Sequence, residues 1–306
     1  MSHIFADITK TIGRTPLIRV NRIKTHGAEV LLKLESFNPL SSVKDRAALF
    51  MVEDARKKGL IRPGSTIVEA TSGNTGIALA FIAAVYGYRL IIVMPDTMSV
   101  ERRGLLKAFG AEIILTPGKS GLKGAVKKAQ EILRKMPRAF MPEQFANPAN
   151  ARAHRETTAK ELIRDTGGKI DFFVTGVGTG GTLTGAGFTL KRRINNIQII
   201  AVEPRCSAVL SGRKPGPHKI QGIGAGFIPQ ALDRSLIDEV VRVGYDDAKG
   251  AVKELARKEG ILTGVSGGAA FFAGLKIAKR SKAPERRIVV LLPDTGERYL
   301  STGLFD

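Results

Sequence analysis

Short apolar runs alternate with longer helical patterns along almost the whole chain. Eight runs have the length and composition of buried strands, and they fall at residues 30–34, 66–69, 90–94, 112–115, 172–175, 197–202, 239–243 and 288–292. Helical patterns intervene at residues 43–57, 74–86, 100–109, 123–135, 149–164, 181–194, 248–258 and 268–279. Continuously apolar strands separated by helices are typical of parallel sheets that helices cover on both faces. The pattern therefore predicts an α/β fold.

The chain has 306 residues, which suffices for one large α/β domain or two smaller ones. Its formal net charge is +20, but the basic residues are scattered, tryptophan is absent and the few aromatic residues are not interleaved with the basic runs. We therefore expect a solvated surface that attracts anionic substrates, and no nucleic-acid partner. The four histidines lie far apart and lack metal-ligand spacing, so no metal site is expected.

Three features bear on the cellular compartment. The single cysteine, Cys206, excludes an internal disulfide and suits a reducing environment. The longest apolar stretch, residues 77–94, is interrupted by Gly87 and Arg89, which favours helix, turn and strand over a membrane span. The start, MSHIFAD, has neither the basic nor the apolar region of a secretory signal. We expect a cytoplasmic protein without membrane association.

One lysine lies where a turn meets a helix. Lys44 belongs to the segment NPLSSVKDR, which an Asn-Pro turn introduces and an amphipathic helix over residues 43–57 follows. A lysine held in this way presents its amine to a carbonyl in one repeated geometry. Together with two glycine-rich loops further along, it suggests a Schiff-base lysine that serves a phosphorylated aldehyde cofactor.

The first glycine-rich loop, residues 71–76, follows a strand candidate and precedes a helix. Its sequence TSGNTG offers hydroxyls, an amide and backbone N–H groups at a helix N-terminus, an arrangement suited to a carboxylate. The alternative is an ordinary helix start, capped by Asn74 or Thr75.

The second loop, residues 175–182, also follows a strand and opens a helix, and its converging N–H groups suit a phosphate. Gly176, Gly178 and Gly181 satisfy the G-x-G-x-x-G dinucleotide pattern, and Glu203 ends the next strand where a ribose-binding acid would stand. A nicotinamide-linked oxidoreductase is therefore an open alternative, although such a motif should come early in its domain.

Two single residues and one long connection complete the candidates. Ser266 precedes a predicted helix and could be its N-cap, and Gln144 could satisfy backbone groups in the crossover at residues 141–148. The stretch at residues 211–229 is rich in glycine and proline and is too long for a simple connection, so we expect it to serve the site.

Seven segments occur in one order between Ile12 and Phe305: NPLSSVKDR, EATSGNTGIALA, MPDTMSVERRGLLKAFGAE, NPAN, GVGTGGTLTG, PGPHKIQGIGAGFIP and LPDTGERYLSTGLF. In these segments the chain resembles the cysteine synthase (O-acetylserine sulfhydrylase) family, which uses pyridoxal 5'-phosphate and has the fold type of the tryptophan synthase β chain. The resemblance implies that L-cysteine is made from O-acetyl-L-serine and sulfide by β-replacement, through an α-aminoacrylate intermediate.

The resemblance also implies a role for each matching residue. Lys44 would form the internal aldimine and then remove the Cα proton. The residues implied to bind the cofactor are, besides Lys44, Asn74 at the phenolic oxygen, Gly178, Thr179, Gly180, Gly181 and Thr182 at the phosphate, and Ser266 at the pyridine nitrogen. Those implied to grip the substrate carboxylate are Thr71, Ser72, Gly73, Thr75 and Gln144, and Gly222 and Phe227 would line the substrate pocket.

The family fold implies two α/β domains with parallel-rich sheets flanked by helices, the arrangement called PLP fold type II. We expect a smaller domain at 35–146 with the substrate loop, a larger one made of 1–34 plus 147–306 with the phosphate cup, and the cofactor in the interdomain cleft. The resemblance further implies a homodimer that captures the C-terminal tail of serine acetyltransferase. O-phosphoserine as donor stays open, because Leu122 replaces a methionine common near the mouth of the site, where the donor is selected. A cystathionine β-synthase-like activity is a separate alternative within the same fold type.

Overall fold

The computed structural model describes residues 4–71, 73–97, 100–281 and 285–306. Over these residues the strands are β1 (Leu17–Arg19), β2 (Glu29–Leu34), β3 (Thr66–Ala70), β4 (Arg89–Pro95), β5 (Glu112–Thr116), β6 (Phe172–Gly176), β7 (Gln198–Pro204), β8 (Glu239–Val243) and β9 (Arg287–Leu292). The helices are α1 (Lys44–Lys57), α2 (Asn74–Tyr86), α3 (Val100–Ala108), α4 (Gly121–Lys135), α5 (Pro148–Ala153), α6 (Ala159–Thr166), α7 (Gly181–Arg193), α8 (Tyr245–Glu254) and α9 (Val265–Ser281). All eight predicted strands are confirmed to within two residues at each end.

Two π-helical turns interrupt the predicted helical pattern. The turn His154–Thr158 joins α5 to α6, so the helix expected at residues 149–164 is three segments, and the turn Leu255–Glu259 extends α8. In a π-helical turn the hydrogen bonds reach one residue further along the chain. Neither turn has a sequence signature, because its residues are those of an ordinary helix.

The chain divides into two compact units, Met1–Ile12 with Lys44–Asn150, and Gly13–Val43 with Ala151–Asp306. The sequence instead assigns residues 35–43 to the smaller domain, and residues 1–12 and 147–150 to the larger one. In the structure this segment is tied to the second unit, since Asn38 Oδ1 accepts the Gly13 N–H at 2.9 Å and the Val43 N–H donates to the Pro293 carbonyl at 2.8 Å.

The first unit contains a three-stranded parallel sheet in the order β3-β4-β5. On one face, side chains such as Val68 and Val93 pack against Ala125 and Ala129 of α4. Helices α1 and α2 pack against each other, and α2 is apolar on nearly all sides, as expected of a helix that is buried all round.

The second unit contains a six-stranded sheet in the order β1-β2-β9-β6-β7-β8. Alternate strand side chains enter two cores. Leu32 and Val174 pack with residues of α8 and α9, whereas Leu31 and Phe173 pack with residues of α6 and α7. Helices therefore cover both faces, as the apolar strands predict.

The edge strand β1 was not predicted. It has three residues and pairs antiparallel with β2, which makes this sheet mixed, whereas all its other strand pairs are parallel. An edge strand this short, with two of its three residues exposed, leaves no periodic signal in the sequence. None of the helices in the described part of the chain combines the length and the apolarity needed to cross a bilayer.

Candidate active site

The predicted site residues fall into two groups, one in each unit. In the first unit, the loop after β3 leads into α2, and in the second unit the loop after β6 leads into α7. Both loops therefore lie at the carboxyl ends of parallel strands, where α/β sheets bind their ligands. Ser72, predicted to grip a carboxylate, lies outside the described residues.

Lys44 is the first residue of α1, as the sequence predicts. The chain turns just before it, since the Ser41 N–H donates to the Asn38 carbonyl at 2.8 Å and Ser41 has a left-handed φ of 53°. The lysine side chain is half-buried. A backbone fixed on both sides of the residue restricts where its amine can lie.

The start of α2 differs from the ordinary capped helix considered above. Gly73 is the N-cap and supplies no side-chain hydrogen bond, so the alternative that Asn74 or Thr75 caps the helix is wrong. Both are instead the first residues inside it. The Thr75 hydroxyl donates to Gln144 Oε1 at 2.6 Å, and the Gly73 N–H donates to the Thr71 hydroxyl at 3.4 Å. The Gln144 side chain therefore contacts this loop, with which the resemblance grouped it, and is not merely a partner for backbone groups.

Glu69 lies just before this loop, on β3, and its side chain is 3% exposed. Burial raises the pKa of its carboxyl to about 8. The N–H of Glu143 donates to Oε2 at 3.0 Å and lowers this pKa, whereas the negative charge of the Glu143 side chain raises it further. Sequence reasoning missed this residue, because a glutamate at the end of a strand looks like a solvated side chain.

The loop after β6 has the backbone of an anion cup. Gly180, with a left-handed φ of 85°, is the N-cap of α7, and Gly181 is the first helical residue. Thr179 is buried and its hydroxyl accepts the Gly181 N–H at 3.4 Å. A side chain is excluded at Gly178, because a Cβ there would lie 2.3 Å from the Gly222 carbonyl oxygen. Backbone N–H groups at a helix start, free of side chains, suit a phosphate.

The structure brings the other predicted residues of the second unit to this cup. A Cβ on Gly222 would lie 3.3 Å from Ser266 Oγ, and Phe227 lines a small cavity together with Gly178. Ser266 is buried and is the second residue of α9, so the N-cap alternative is wrong. The stretch at residues 211–229 therefore does adjoin the cup, as its length and composition suggested.

Glu203 is engaged within its own unit. Its carboxylate accepts the N–H groups of Leu210 at 2.8 Å and Ser211 at 3.1 Å, and the Ser211 hydroxyl at 2.5 Å. The dinucleotide alternative needed this carboxylate for a ribose. In the structure it instead fixes the start of the loop that reaches Gly222 and Phe227.

His154 is a site residue that sequence reasoning did not find. It begins the π-helical turn, is 2% exposed, and lies between two hydroxyls, with Nδ1 2.9 Å from Thr158 Oγ1 and Nε2 3.3 Å from Thr182 Oγ1. The imidazole therefore supports Thr182 from behind the cup. Within the described ranges, no cluster of three His, Cys, Asp or Glu side chains has the arrangement of a metal site.

The family model of the pyridoxal-phosphate dependent enzymes matches residues 8–294. The cysteine synthase of Staphylococcus aureus is 52% identical over 301 residues, which cover 98% of this chain and 96% of that protein. The crystal structure of cysteine synthase from Entamoeba histolytica superimposes with a TM-score of 0.96 at 47% identity, covering 99% of this chain and 91% of the other. A crystal structure of O-ureido-L-serine synthase gives a TM-score of 0.96 at 48% identity, with 99% and 96% covered.

Proposed function

We propose, from the premise that the chain belongs to the family of pyridoxal-phosphate dependent enzymes, that it is a cysteine synthase. The resemblance inferred from the motifs, the two-sheet α/β fold class and the cofactor are confirmed by the family and by the solved relatives. The proposed reaction makes L-cysteine from O-acetyl-L-serine and sulfide. The observation that carries it is the 52% identity to a cysteine synthase over 98% of this chain. A lysine at the start of α1 and two loops that lead into helices accompany it.

The residues of the cup fit the cofactor's phosphate. Helix α7 begins with glycine and threonine, whose first backbone N–H groups have no acceptor within the helix. Gly178 has no room for a Cβ, because the Gly222 carbonyl oxygen would lie 2.3 Å from it, so the backbone of the cup stays bare at this position. We propose that Gly178, Thr179, Gly180, Gly181 and Thr182 hold the phosphate, that Lys44 bonds the aldehyde carbon, and that Asn74 and Ser266 hydrogen-bond the phenolic oxygen and the pyridine nitrogen. When bound, the cofactor supplies an electron sink for the charge that develops at the substrate Cα.

The proposed mechanism gives Lys44 the proton transfers. When it is not bonded to the cofactor, the ε-amine of Lys44 would take the Cα proton as general base while acetate leaves from Cβ. Sulfide then forms the Cβ–S bond, and Lys44 returns a proton to Cα. The hydroxyl of Ser266, unlike a carboxylate, would be a neutral partner for the pyridine nitrogen and would add no negative charge beside the cofactor.

The loop after β3 holds the substrate in this proposal. Thr71, Ser72, Gly73, Thr75 and Gln144 bind its carboxylate through N–H, hydroxyl and amide donors. The Thr75 hydroxyl donates to Gln144 Oε1, which leaves the Gln144 amide NH₂ to face an anion. A carboxylate held at fixed donors orients the Cα–H bond for the lysine.

An absorption spectrum of the purified protein tests the proposed function. We expect a visible band from the lysine-bound cofactor that changes when O-acetyl-L-serine is added and returns when sulfide follows, with L-cysteine identified as the product by mass spectrometry. If the band changes with O-phospho-L-serine and not with O-acetyl-L-serine, the donor substrate is O-phospho-L-serine. Absence of any visible band after incubation with pyridoxal phosphate would contradict the proposal.

A second candidate comes from the solved relative named O-ureido-L-serine synthase, which is nearly as similar as the cysteine synthases. The name gives O-ureido-L-serine as the product, so an O-ureido group would take the place of the sulfur of cysteine. Mass spectrometry of the product formed with competing nucleophiles distinguishes the two: cysteine as the dominant product supports the first proposal, and O-ureido-L-serine supports the second.

We also propose that the enzyme is a cytoplasmic homodimer that binds the C-terminal tail of serine acetyltransferase. The support is the family resemblance together with the single cysteine. Light scattering after gel filtration measures the mass of the assembly, and a peptide with the tail sequence competing against O-acetyl-L-serine tests the second partner.

Replacing Gly178 by alanine is expected to weaken binding of pyridoxal phosphate by about tenfold or more. The new methyl group would clash with the Gly222 carbonyl, and relieving the clash requires one of the two backbone segments to move. The measurement is a cofactor titration of the apoenzyme followed by absorbance. The matched control is Gly250→Ala on α8, where a Cβ meets nothing within 4 Å and the helix should gain stability. Equal affinity in both variants would argue against the phosphate cup.

A further inference from the structure

Glu69 occupies a position between the strand and the loop that the proposed function uses. It is the fourth residue of β3, two residues before Thr71. Its neighbours Val68 and Ala70 point into the core shared with α4, so the alternation of the strand turns Glu69 to the opposite face. There its side chain is almost completely buried.

The Glu69 carboxyl holds a strained turn. Glu143 has a left-handed φ of 54°, a conformation that is uncommon for a residue with a side chain. Its N–H donates to Glu69 Oε2 at 3.0 Å, and its carbonyl accepts the N–H groups of Ala146 and Asn147 at 2.8 and 2.9 Å. Without the Glu69 acceptor, the partly buried Glu143 N–H would lose its partner, and the turn would lose a restraint.

The next residue in this turn is Gln144, whose side chain meets the other end of the same loop. Thr75 donates to Gln144 Oε1 at 2.6 Å, and the Asn150 amide donates to the Gln144 carbonyl at 2.8 Å. Chain segments and hydrogen bonds therefore form a closed ring. The chain runs from Glu69 through the loop to Thr75, which bonds Gln144, and the neighbouring Glu143 bonds back to Glu69. Glu69 fixes the backbone of Gln144, and Thr75 fixes its side chain.

We propose that Glu69 is a positioning residue that sets the affinity of the enzyme for the carboxylate of its amino-acid substrate, by holding the Glu143–Gln144 turn against the loop after β3. The inference rests on the proposed function, since it assigns the loop and Gln144 to substrate binding. It is distinct from the catalytic role of Lys44, because Glu69 acts through Gln144 and contacts no reacting atom.

The ionisation of Glu69 agrees with this role. Among the described residues, Glu143 supplies the charge that acts on it, and its partner on the neighbouring strand β4 is the apolar Ile92. Because burial raises the pKa of Glu69 to about 8, the group is largely neutral near pH 7 and adds no negative charge beside a loop that binds a carboxylate. Above pH 8 the negative form would oppose substrate binding.

Steady-state kinetics of the holoenzyme with O-acetyl-L-serine and sulfide at pH 7 test the proposal. For Glu69→Leu, which keeps the volume and removes the acceptor, we expect KM for O-acetyl-L-serine to rise about tenfold or more, with kcat and KM for sulfide within about threefold of wild type. Glu69→Gln retains a carbonyl acceptor and should restore KM to within about threefold. The matched control is Thr116→Val, a buried polar residue at the end of β5, which should leave all three constants unchanged.

Two results would overturn the proposal: an unchanged KM for O-acetyl-L-serine in Glu69→Leu, or a Glu69→Gln variant as impaired as Glu69→Leu. If Glu69→Leu does not fold, the backbone amide of Glu143 decides by NMR. Its resonance should titrate between about pH 7 and pH 9 in the wild-type protein and not in Glu69→Gln; a chemical shift that is the same in the two proteins at every pH would contradict the contact. If the wild-type protein does not react with O-acetyl-L-serine, the proposed function is wrong. The NMR comparison alone would then decide whether Glu69 holds the turn.

Discussion

Replacing Lys44 by alanine is expected to lower kcat for cysteine formation by at least about 10,000-fold, because the proposed mechanism gives this one side chain both the bond to the cofactor and the transfer of the Cα proton. Such a loss corresponds to about 5.5 kcal/mol of transition-state stabilisation. The covalent bond has a separate readout. Reduction of the wild-type holoenzyme with borohydride should leave the cofactor on the peptide that contains Lys44, and the variant should carry no such adduct.

The control for this experiment is Lys57→Ala, at the opposite end of α1, where the side chain is exposed. Its activity should stay within about twofold of wild type, since it removes the same charge from the same helix. A Lys44→Ala protein that still carries the reduced adduct would place the covalent bond on another lysine, and the proposed mechanism would then be wrong.

The second large effect concerns stability as a function of pH. Burial raises the pKa of Glu69 from its ordinary value of 4.5 to about 8, so between these values the folded protein keeps a proton that the unfolded chain has lost. Stability falls with pH wherever the folded state binds more protons. The contribution of Glu69 is therefore fully present below pH 4.5 and is lost as pH rises through 8, by up to about 5 kcal/mol.

Glu69→Gln cannot titrate and should remove this loss. We expect the unfolding free energy of the variant, relative to wild type, to improve by several kcal/mol between pH 5 and pH 8.5 in denaturant titrations. Glu112→Gln on β5 is the control, since its carboxylate is exposed beside Arg89 and its removal should shift stability by a similar small amount at both pH values. A difference between Glu69→Gln and wild type that does not depend on pH would mean that the buried carboxyl is not protonated at neutral pH.

Local patterns predicted the helices and strands that adjoin the site. The apolar β4 and the glycine-rich segments after β3 and β6 each carry their structural signal within a few neighbouring residues, so strand, loop and helix start could all be located. The start of α1 at Lys44 was predictable for the same reason. The cofactor followed from motifs long enough to indicate a family, which glycine spacing alone did not distinguish from a dinucleotide site.

The unpredicted features depend on tertiary contacts. Glu203 matched the ribose-binding position in spacing, yet its carboxylate binds Leu210 and Ser211. His154, the first residue of a π-helical turn, lies 3.3 Å from the Thr182 hydroxyl across 28 residues of sequence. Glu69 meets Glu143 across 74 residues of sequence. Such partners are separated in the chain, so no window of neighbouring residues contains the information.

The strand order of the larger sheet has a consequence for the growing chain. In the order β1-β2-β9-β6-β7-β8, β9 joins the early β1-β2 pair to the later strands, and Glu29 of β2 stands opposite Arg287 of β9. At elongation rates of about 5–20 residues per second, β2 waits roughly 13–50 s for its partner to be synthesised. Until then β1 and β2 form at most a two-stranded ribbon, which is marginal in water. The ribosome-bound intermediate therefore exposes an unpaired, apolar edge of β2, and the last strand made completes the sheet.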